Sequence, residues 1–259
     1  MKHLLTTALL LTLISCAPTE SRQPAAQVKP TQTKPADTLV TVSKISVQST
    51  DFIKMQMNSD KAYITMADSV IPSEADPTIG ICVEAAFTGE LLPEFKSSNV
   101  AGNYVIDGEL HKGYKCNANT GFLYADKSTF TISSTQHCSK WIKKAQTSKG
   151  CLFQQMLLVN DGANVYRGKP IKPGSSNIYR SACVMKDGSF AVVQSEEPVP
   201  LATFIKSLIS MGVKDALYLD MGVGWNFGWY RTTTASAPIR LFNYKSEYQT
   251  NWLVVKSRE

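Results

Sequence analysis

Histidine is scarce in this chain, with three in 259 residues: His3, His111 and His137. No CxxC and no Cys/His spacing of the zinc type accompanies them, so neither a structural zinc cluster nor a histidine-rich metal centre is expected. His137 adjoins Cys138, but neighbours in sequence seldom face each other as a dyad. His111 follows a turn at residues 106–109 and is a weak site candidate. The glycine patterns of P-loops and dinucleotide folds are missing, as are HExxH and GxSxG, so no cofactor is expected. No apolar run approaches the ~20 residues that a membrane-spanning helix needs. There is no internal repeat and no legible nucleic-acid-binding module, so nucleic acid is not an expected partner.

The front of the chain does carry a signal. Lys2 and His3 precede an apolar run from Leu4 to Ile14, too short to cross a bilayer but of the length of a signal-peptide core. It ends Leu13-Ile14-Ser15-Cys16, which resembles the lipobox of bacterial lipoproteins. Residues 1–15 then read as a signal and Cys16 as a lipidated N-terminus, several acyl chains on one residue giving stable anchoring. Residues 16–38 are rich in Pro, Gln, Thr and Lys, cannot bury a core and read as a disordered tether. Residues 39–259 are left for one globular domain. The expected location is a bacterial cell envelope, at the outer membrane, with the membrane reached through the Cys16 anchor. The net charge of +6 mildly favours anionic partners. Lys140, Lys143, Lys144 and Lys149 cluster around Trp141, most simply as a solvated surface.

Beyond Cys16, five cysteines remain, an odd number. An oxidising envelope permits disulfides. Cys138 and Cys151 bracket the basic segment and are the preferred pair, with Cys116 a competing partner. Cys82 and Cys183 sit in apolar strand patterns and read as buried thiols.

The richest stretch runs from Tyr179 to Arg231. An apolar run through Ala182–Met185, a turn at Lys186-Asp187-Gly188 and a second run through Phe190–Gln194 read as a hairpin. Leu201, Phe204, Ile205, Leu208 and Ile209 recur at helical spacing, with Pro200 opening the helix and Gly212 closing it. A short buried strand, Ala216–Leu219, then delivers Asp220 into a glycine-interrupted aromatic loop. A carboxylate there is either a catalytic acid or a turn residue satisfied by nearby N–H groups. A second helix is expected near residues 139–147 and a third near residues 91–96. The whole reads as α+β, a mostly antiparallel sheet packed around a central helix, Leu201 to Met211.

The block from Arg180 to Asp220 resembles the phosphodiester glycosidase family. Its members show an Arg opening a strand, a "DG" hairpin, a helix, and then "GxxDALxLDGGGS"; here the last piece is Gly212-Val213-Lys214-Asp215-Ala216-Leu217-Tyr218-Leu219-Asp220. Weaker likenesses occur at residues 101–108, 155–162 and 251–255. The chain departs from the pattern at Glu84-Ala85-Ala86-Phe87-Thr88-Gly89, where members often carry "NGGYF". It departs again at Met221, which replaces a glycine.

The resemblance implies a hydrolase that cleaves the glycosidic bond to phosphate in a sugar 1-phosphodiester or phosphoglycan. Expelling a phosphate monoester needs little protonation, so the site must chiefly grip phosphate and activate water or supply a nucleophile. Arg180 is the natural phosphate clamp because guanidinium binds phosphate bidentately; the structural alternative is an ion pair with Asp215 or Glu84. Asp220 and Glu84 are the candidate carboxylates, with acid, base and nucleophile unassigned. Gly222 and Gly224 would bring backbone amides to the phosphate. Trp225 and Trp229 stack on a sugar or belong to the core. Thr88, Gly89, Asn103, Asn226 and Arg231 complete the implied substrate-binding set. The departures leave a second reading open, a glycan-binding surface lipoprotein of the same fold without catalysis.

Overall fold

The structure is a computed structural model that describes residues 37–89, 99–113, 120–168, 175–221, 227–242 and 250–258. All lie within one compact unit, Pro35–Glu259. The chain opens with the antiparallel pair β1 (Val40–Val47) and β2 (Thr50–Met57), then β3 (Ala62–Asp68) and β4 (Ile79–Glu84). Two hairpins follow, β5 (Tyr104–Ile106) with β6 (Glu109–His111) and β7 (Thr120–Ala125) with β8 (Phe130–Ser134). Helix α1 (Cys138–Thr147) leads into β9 (Cys151–Asn160) and the short β10 (Ala163–Asn164). The predicted hairpin is β11 (Arg180–Met185) and β12 (Phe190–Ser195); after it come α2 (Leu201–Ser210) and β13 (Val213–Leu219). The chain finishes with β14 (Gly228–Tyr230), β15 (Ile239–Arg240) and β16 (Asn251–Ser257).

Among the described residues these strands form two antiparallel sheets. The larger has eleven strands along the path β1-β2-β12-β11-β13-β9-β5-β6, with β7, β8 and β10 attached through β9 and β7. The smaller has five, in the order β15-β14-β4-β16-β3. One face of the large sheet (Met55, Phe153, Ala182, Val192, Leu217, Leu219) packs on the inner face of the small one (Ile64, Ile81, Val83, Leu253, Val255). Alternate residues on the opposite face of the large sheet, among them Cys183, Ala191, Val193 and Ala216, meet Phe204, Ile205 and Leu208 of α2.

That arrangement overturns the α+β expectation of a sheet built around a central helix. The protein is a mostly-β sandwich, and α2 lies on the outer side of one layer. The hairpin and helix fall where the periodicity puts them, and Gly212 supplies the positive φ of +82° that ends α2. The misreading concerns what covers each face. Strands β11 to β13 are apolar on both sides, a pattern that demands two covers but does not say which is helix and which is sheet. The proposed helix near residues 91–96 lies outside the described residues.

The disulfide expectation also fails. Cys138 begins α1 and packs with Phe122, Tyr124 and Leu152 on the helix side of the large sheet. Cys151 packs with Leu123 and Phe153 on the sandwich side. Opposite faces of a sheet cannot be bridged by one S–S bond, and Cys151 is a free thiol. Burial pushes that thiol up to about 12, which leaves negligible thiolate for reaction. Cys183 is likewise a buried free thiol, raised to about 12 for the same reason. Cys116, the alternative partner, lies outside the described residues.

Candidate active site

Arg180 opens β11, opposite Leu219 at the end of β13 and Gln194 near the end of β12. Its side chain shares the sandwich face with Ala182 and Leu219 and is fully buried. The guanidinium is pinned from two sides: Nε donates to Gln194 Oε1 at 2.9 Å and Nη1 to the Phe227 carbonyl at 3.2 Å. Nη2 makes no hydrogen bond among the described residues. Gly228 lets β14 come this close, because a Cβ there would stand 3.1 Å from Nη2 and 3.2 Å from Nη1. Burial depresses the guanidinium below its ordinary range, and the Glu84 carboxylate is the first of the neighbouring charges that raise it. At neutral pH it remains a cation.

Glu84 ends β4, opposite Trp252 of β16, and is 1% exposed. The chain beyond it is held by Asn251, whose Oδ1 accepts the Ala86 N–H at 2.8 Å and whose Nδ2 donates to the Ala86 carbonyl at 3.0 Å. Asp220, one residue past β13, donates its N–H to the Ala85 carbonyl at 3.0 Å, which ties the end of the large sheet to the end of β4. Its side chain is 8% exposed. Burial raises the carboxyl to about 7, against the opposing pull of the Met221 amide. A carboxyl poised there can give or take a proton near neutral pH.

Tyr218, on the α2 side of β13, lies beside this corner. Its hydroxyl accepts the Met221 N–H at 3.0 Å and lies 2.9 Å from the Met221 carbonyl, which Asn177 Nδ2 also reaches at 3.2 Å. Burial and then the Asp220 charge, with Glu84 a lesser contributor, raise the phenol well above its ordinary range and keep it neutral. Tyr218 is also among the groups that act on Arg180. Arg180 and Glu84 thus act on each other from β11 and β4 on the sandwich side, while Tyr218 packs on the α2 side of the large sheet, with Asp220 the leading charge acting on it.

Other predicted residues lie elsewhere. Asp215 accepts from Asn160 Nδ2 at 2.8 Å and the Asp161 N–H at 2.9 Å, so it anchors the β9 turn and is not the Arg180 partner. Arg231 bonds the Gly80 carbonyl through its N–H and the Glu74 carbonyl through Nη2. Gly80 lies near the start of β4, four residues from Glu84, so the Arg231 backbone is about 13 Å from Glu84 along the strand. Trp229 is fully buried on the outer face of the small sheet with Trp252 and Phe227, and Arg231 stacks over its ring at 5.5 Å; it is core. Asn103 braces the β5–β6 hairpin, its Oδ1 accepting the Gly113 N–H at 2.9 Å and its carbonyl accepting Gln154 Nε2. Thr88 and Gly89 are buried just beyond the site, and Thr88 Oγ1 is 3.3 Å from Thr250 Oγ1. Gly222, Gly224, Trp225 and Asn226 lie outside the described residues. No group of three or more His, Cys, Asp and Glu side chains is placed to hold a metal among the described residues.

Sequence reasoning missed Tyr218, Gln194, Asn177 and Asn251. Gln194 and Asn251 left a faint trace as polar residues at the ends of apolar strands. Tyr218 left none, because an aromatic in a buried strand reads as core.

No family model matches the chain, and no curated protein matches it significantly. Solved structures do. The catalytic domain of zebrafish N-acetylglucosamine-1-phosphodiester alpha-N-acetylglucosaminidase, auto-inhibited by its pro-peptide, superposes with a TM-score of 0.54 at 13% identity, covering 88% of this chain and 85% of that one. A hypothetical protein from Synechocystis gives 0.50 at 9% identity, covering 85% of this chain and 62% of that one. The fold of this chain is thus similar to that of a phosphodiester glycosidase catalytic domain.

Proposed function

We propose that this chain is an envelope-anchored hydrolase that cleaves the glycosidic bond to phosphate in a sugar 1-phosphodiester or phosphoglycan. The observation that carries the reading is the burial of Arg180 beside Glu84, with the buried Asp220 following Leu219, the strand partner of Arg180. Desolvating three ionisable groups together is costly, and a fold gains nothing structural from it that an apolar trio would not supply. Arg180 holds the phosphate, with Nη2 as the available donor. Asp220, ionisable near pH 7, activates water or acts at the anomeric carbon, and Glu84 is its partner. The likeness to a glycosidase catalytic domain supports the same reading at the level of fold.

The anchor belongs to the proposal: Cys16 carries the lipid and holds the domain at a bacterial outer membrane. Cys16→Ala should then partition into the aqueous phase of a detergent separation, and retention in the detergent phase would remove the anchor from the reading.

The activity is tested by screening the purified full-length protein against sugar 1-phosphodiesters and teichoic- or capsule-type polymers. Asp220→Asn should keep substrate binding and lose turnover about a hundredfold or more. Arg180→Lys should weaken discrimination of the phosphodiester over a neutral glycoside. One feature favours the second reading, a glycan-binding protein without catalysis. The Met221 amide, at the position where the family pattern has a glycine, already serves Tyr218 and Asp220 and is not offered to a phosphate. That reading expects no turnover in the parent and a loss of affinity in both variants.

A further inference from the structure

Phe87 lies three residues beyond Glu84 and is 41% exposed. Among the described residues no other Phe, Tyr or Trp is exposed to that degree. Its ring sits 5.9 Å from that of Tyr218 at an interplanar angle of 46°, so the side chain rests against a buried ring and opens to solvent beyond it. Tyr218 in turn fixes Met221, the residue after Asp220. The backbone around Phe87 is held as well. Asn251 clamps Ala86 on both polar atoms, and the Phe87 carbonyl accepts the Ala101 N–H at 2.9 Å. A partly exposed aromatic ring forgoes a share of the ~1.5–3 kcal/mol that full burial gives. Here that ring is kept on an anchored segment just past the buried Glu84 and against Tyr218, the ring on which the Asp220 charge acts.

We propose that Phe87, backed by Tyr218, is the platform on which the pyranose ring of the ligand stacks at the Arg180–Glu84–Asp220 site. The inference rests on the functional reading above and adds the part of the ligand that reading leaves unplaced. A pyranose presents polarised C–H bonds on one face, and these meet the negative face of an aromatic ring favourably. The phosphate goes to Arg180 and the sugar to Phe87, with Asp220 between them at the bond that joins the two. Stacking also discriminates: a phosphodiester without a sugar gains nothing from Phe87. The buried Trp229, by contrast, cannot meet a ligand.

The test uses the full-length protein in detergent with ring-labelled phenylalanine, the Phe87 resonance being assigned by its loss in Phe87→Leu. The probes are methyl glycosides of glucose, galactose, mannose and N-acetylglucosamine, the corresponding glycosyl methyl phosphate diesters, and dimethyl phosphate as a sugar-free control. The Phe87 signal should shift with at least one sugar-bearing probe and stay still with dimethyl phosphate. Phe87→Ala should weaken that probe about tenfold, and Phe87→Tyr should restore it. The proposal is overturned if a sugar probe binds or is hydrolysed without moving the Phe87 signal, or if no probe moves it. It is also overturned if Phe87→Ala leaves affinity intact, or weakens dimethyl phosphate as much as the sugar. A shift with a methyl glycoside but no hydrolysis of any diester would leave the platform standing and remove the hydrolase.

Discussion

The small sheet carries charge at both ends of β4, and the two ends treat it differently. Near Ile79 the paired charges of Arg240 with Glu74 and Lys256 with Asp76 lie toward solvent, whereas Arg231 is buried. Arg240 Nε sits 3.0 Å from both oxygens of Glu74, Lys256 approaches Asp76 at 3.8 Å, and Asp76 takes the Thr78 N–H and hydroxyl. At Glu84 the charges are sealed in: Glu84 and Arg180 are 1% and 0% exposed, and Nη2 of Arg180 is left over. Exposed pairs cost little to form and add little to stability. Buried ones are held against a desolvation penalty that the rest of the fold must offset. Charge kept where it is expensive points to a ligand, whereas charge kept where it is cheap points to solubility and loop order. Both ends contain a buried arginine that sequence reading had assigned to the site; position separates them, Arg180 lying beside Glu84 and Arg231 bonding the Gly80 and Glu74 carbonyls at the other end of β4.

The contrast can be broken by substitution. The largest effect is expected for Arg180→Met, which keeps volume but leaves Glu84 buried without the cation. The loss should be about 3–5 kcal/mol of unfolding free energy by urea denaturation, and a loss near zero would mean that Glu84 does not rely on Arg180. Asp220→Asn should act in the opposite sense on stability. The folded carboxyl titrates near 7 and an unfolded Asp near 3.9. Between these values the folded state binds the extra proton, so stability is fully present below about pH 4 and falls as pH rises toward 7, by up to roughly 4 kcal/mol. Asp220→Asn should abolish that slope and be the more stable protein above pH 7, even as it loses function. Thermal melts of both proteins from pH 4 to 8 decide this, and parallel curves would show that Asp220 is not buried as a carboxylate. The smallest effect belongs to the exposed end. Arg240→Ala should leave the denaturation midpoint unchanged within error, and a clear drop would show that the Glu74 pair does more than order a loop.

Legibility followed the range of the interactions involved. The hairpin β11–β12, helix α2 and strand β13 were readable because alternation, a Gly188 turn and a 3.6-residue period are local properties. Arg180 and Asp220 were picked out on the same segment, and the pairing of Arg180 with Leu219 explains why residues so far apart in sequence share one corner. Trp229 misled, because an aromatic beside glycines looks the same whether it faces solvent or the opposite strand. The Cys138–Cys151 pairing misled too: loop length permitted it, and only the side of the sheet on which each thiol falls forbids it. Phe87 was seen only as part of a departure from a motif, since its exposure depends on Tyr218 and Ala101, distant in sequence.

The sequence by itself determined the central hairpin, strand β13, the two principal helices and the residue types able to bind phosphate and move protons. These follow from side-chain periodicity, turn chemistry and ionisation, all properties of a short stretch of chain. Only the tertiary structure decided that a second sheet, rather than a helix, covers the inner face of the large one, because an apolar face accepts either cover. It alone brought the end of β4 to Arg180 and Asp220, through the Ala85–Asp220 hydrogen bond and the clamp of Asn251 on Ala86. Those contacts join residues more than a hundred positions apart, and their energies exist only once the two sheets have closed on each other and expelled water from between them.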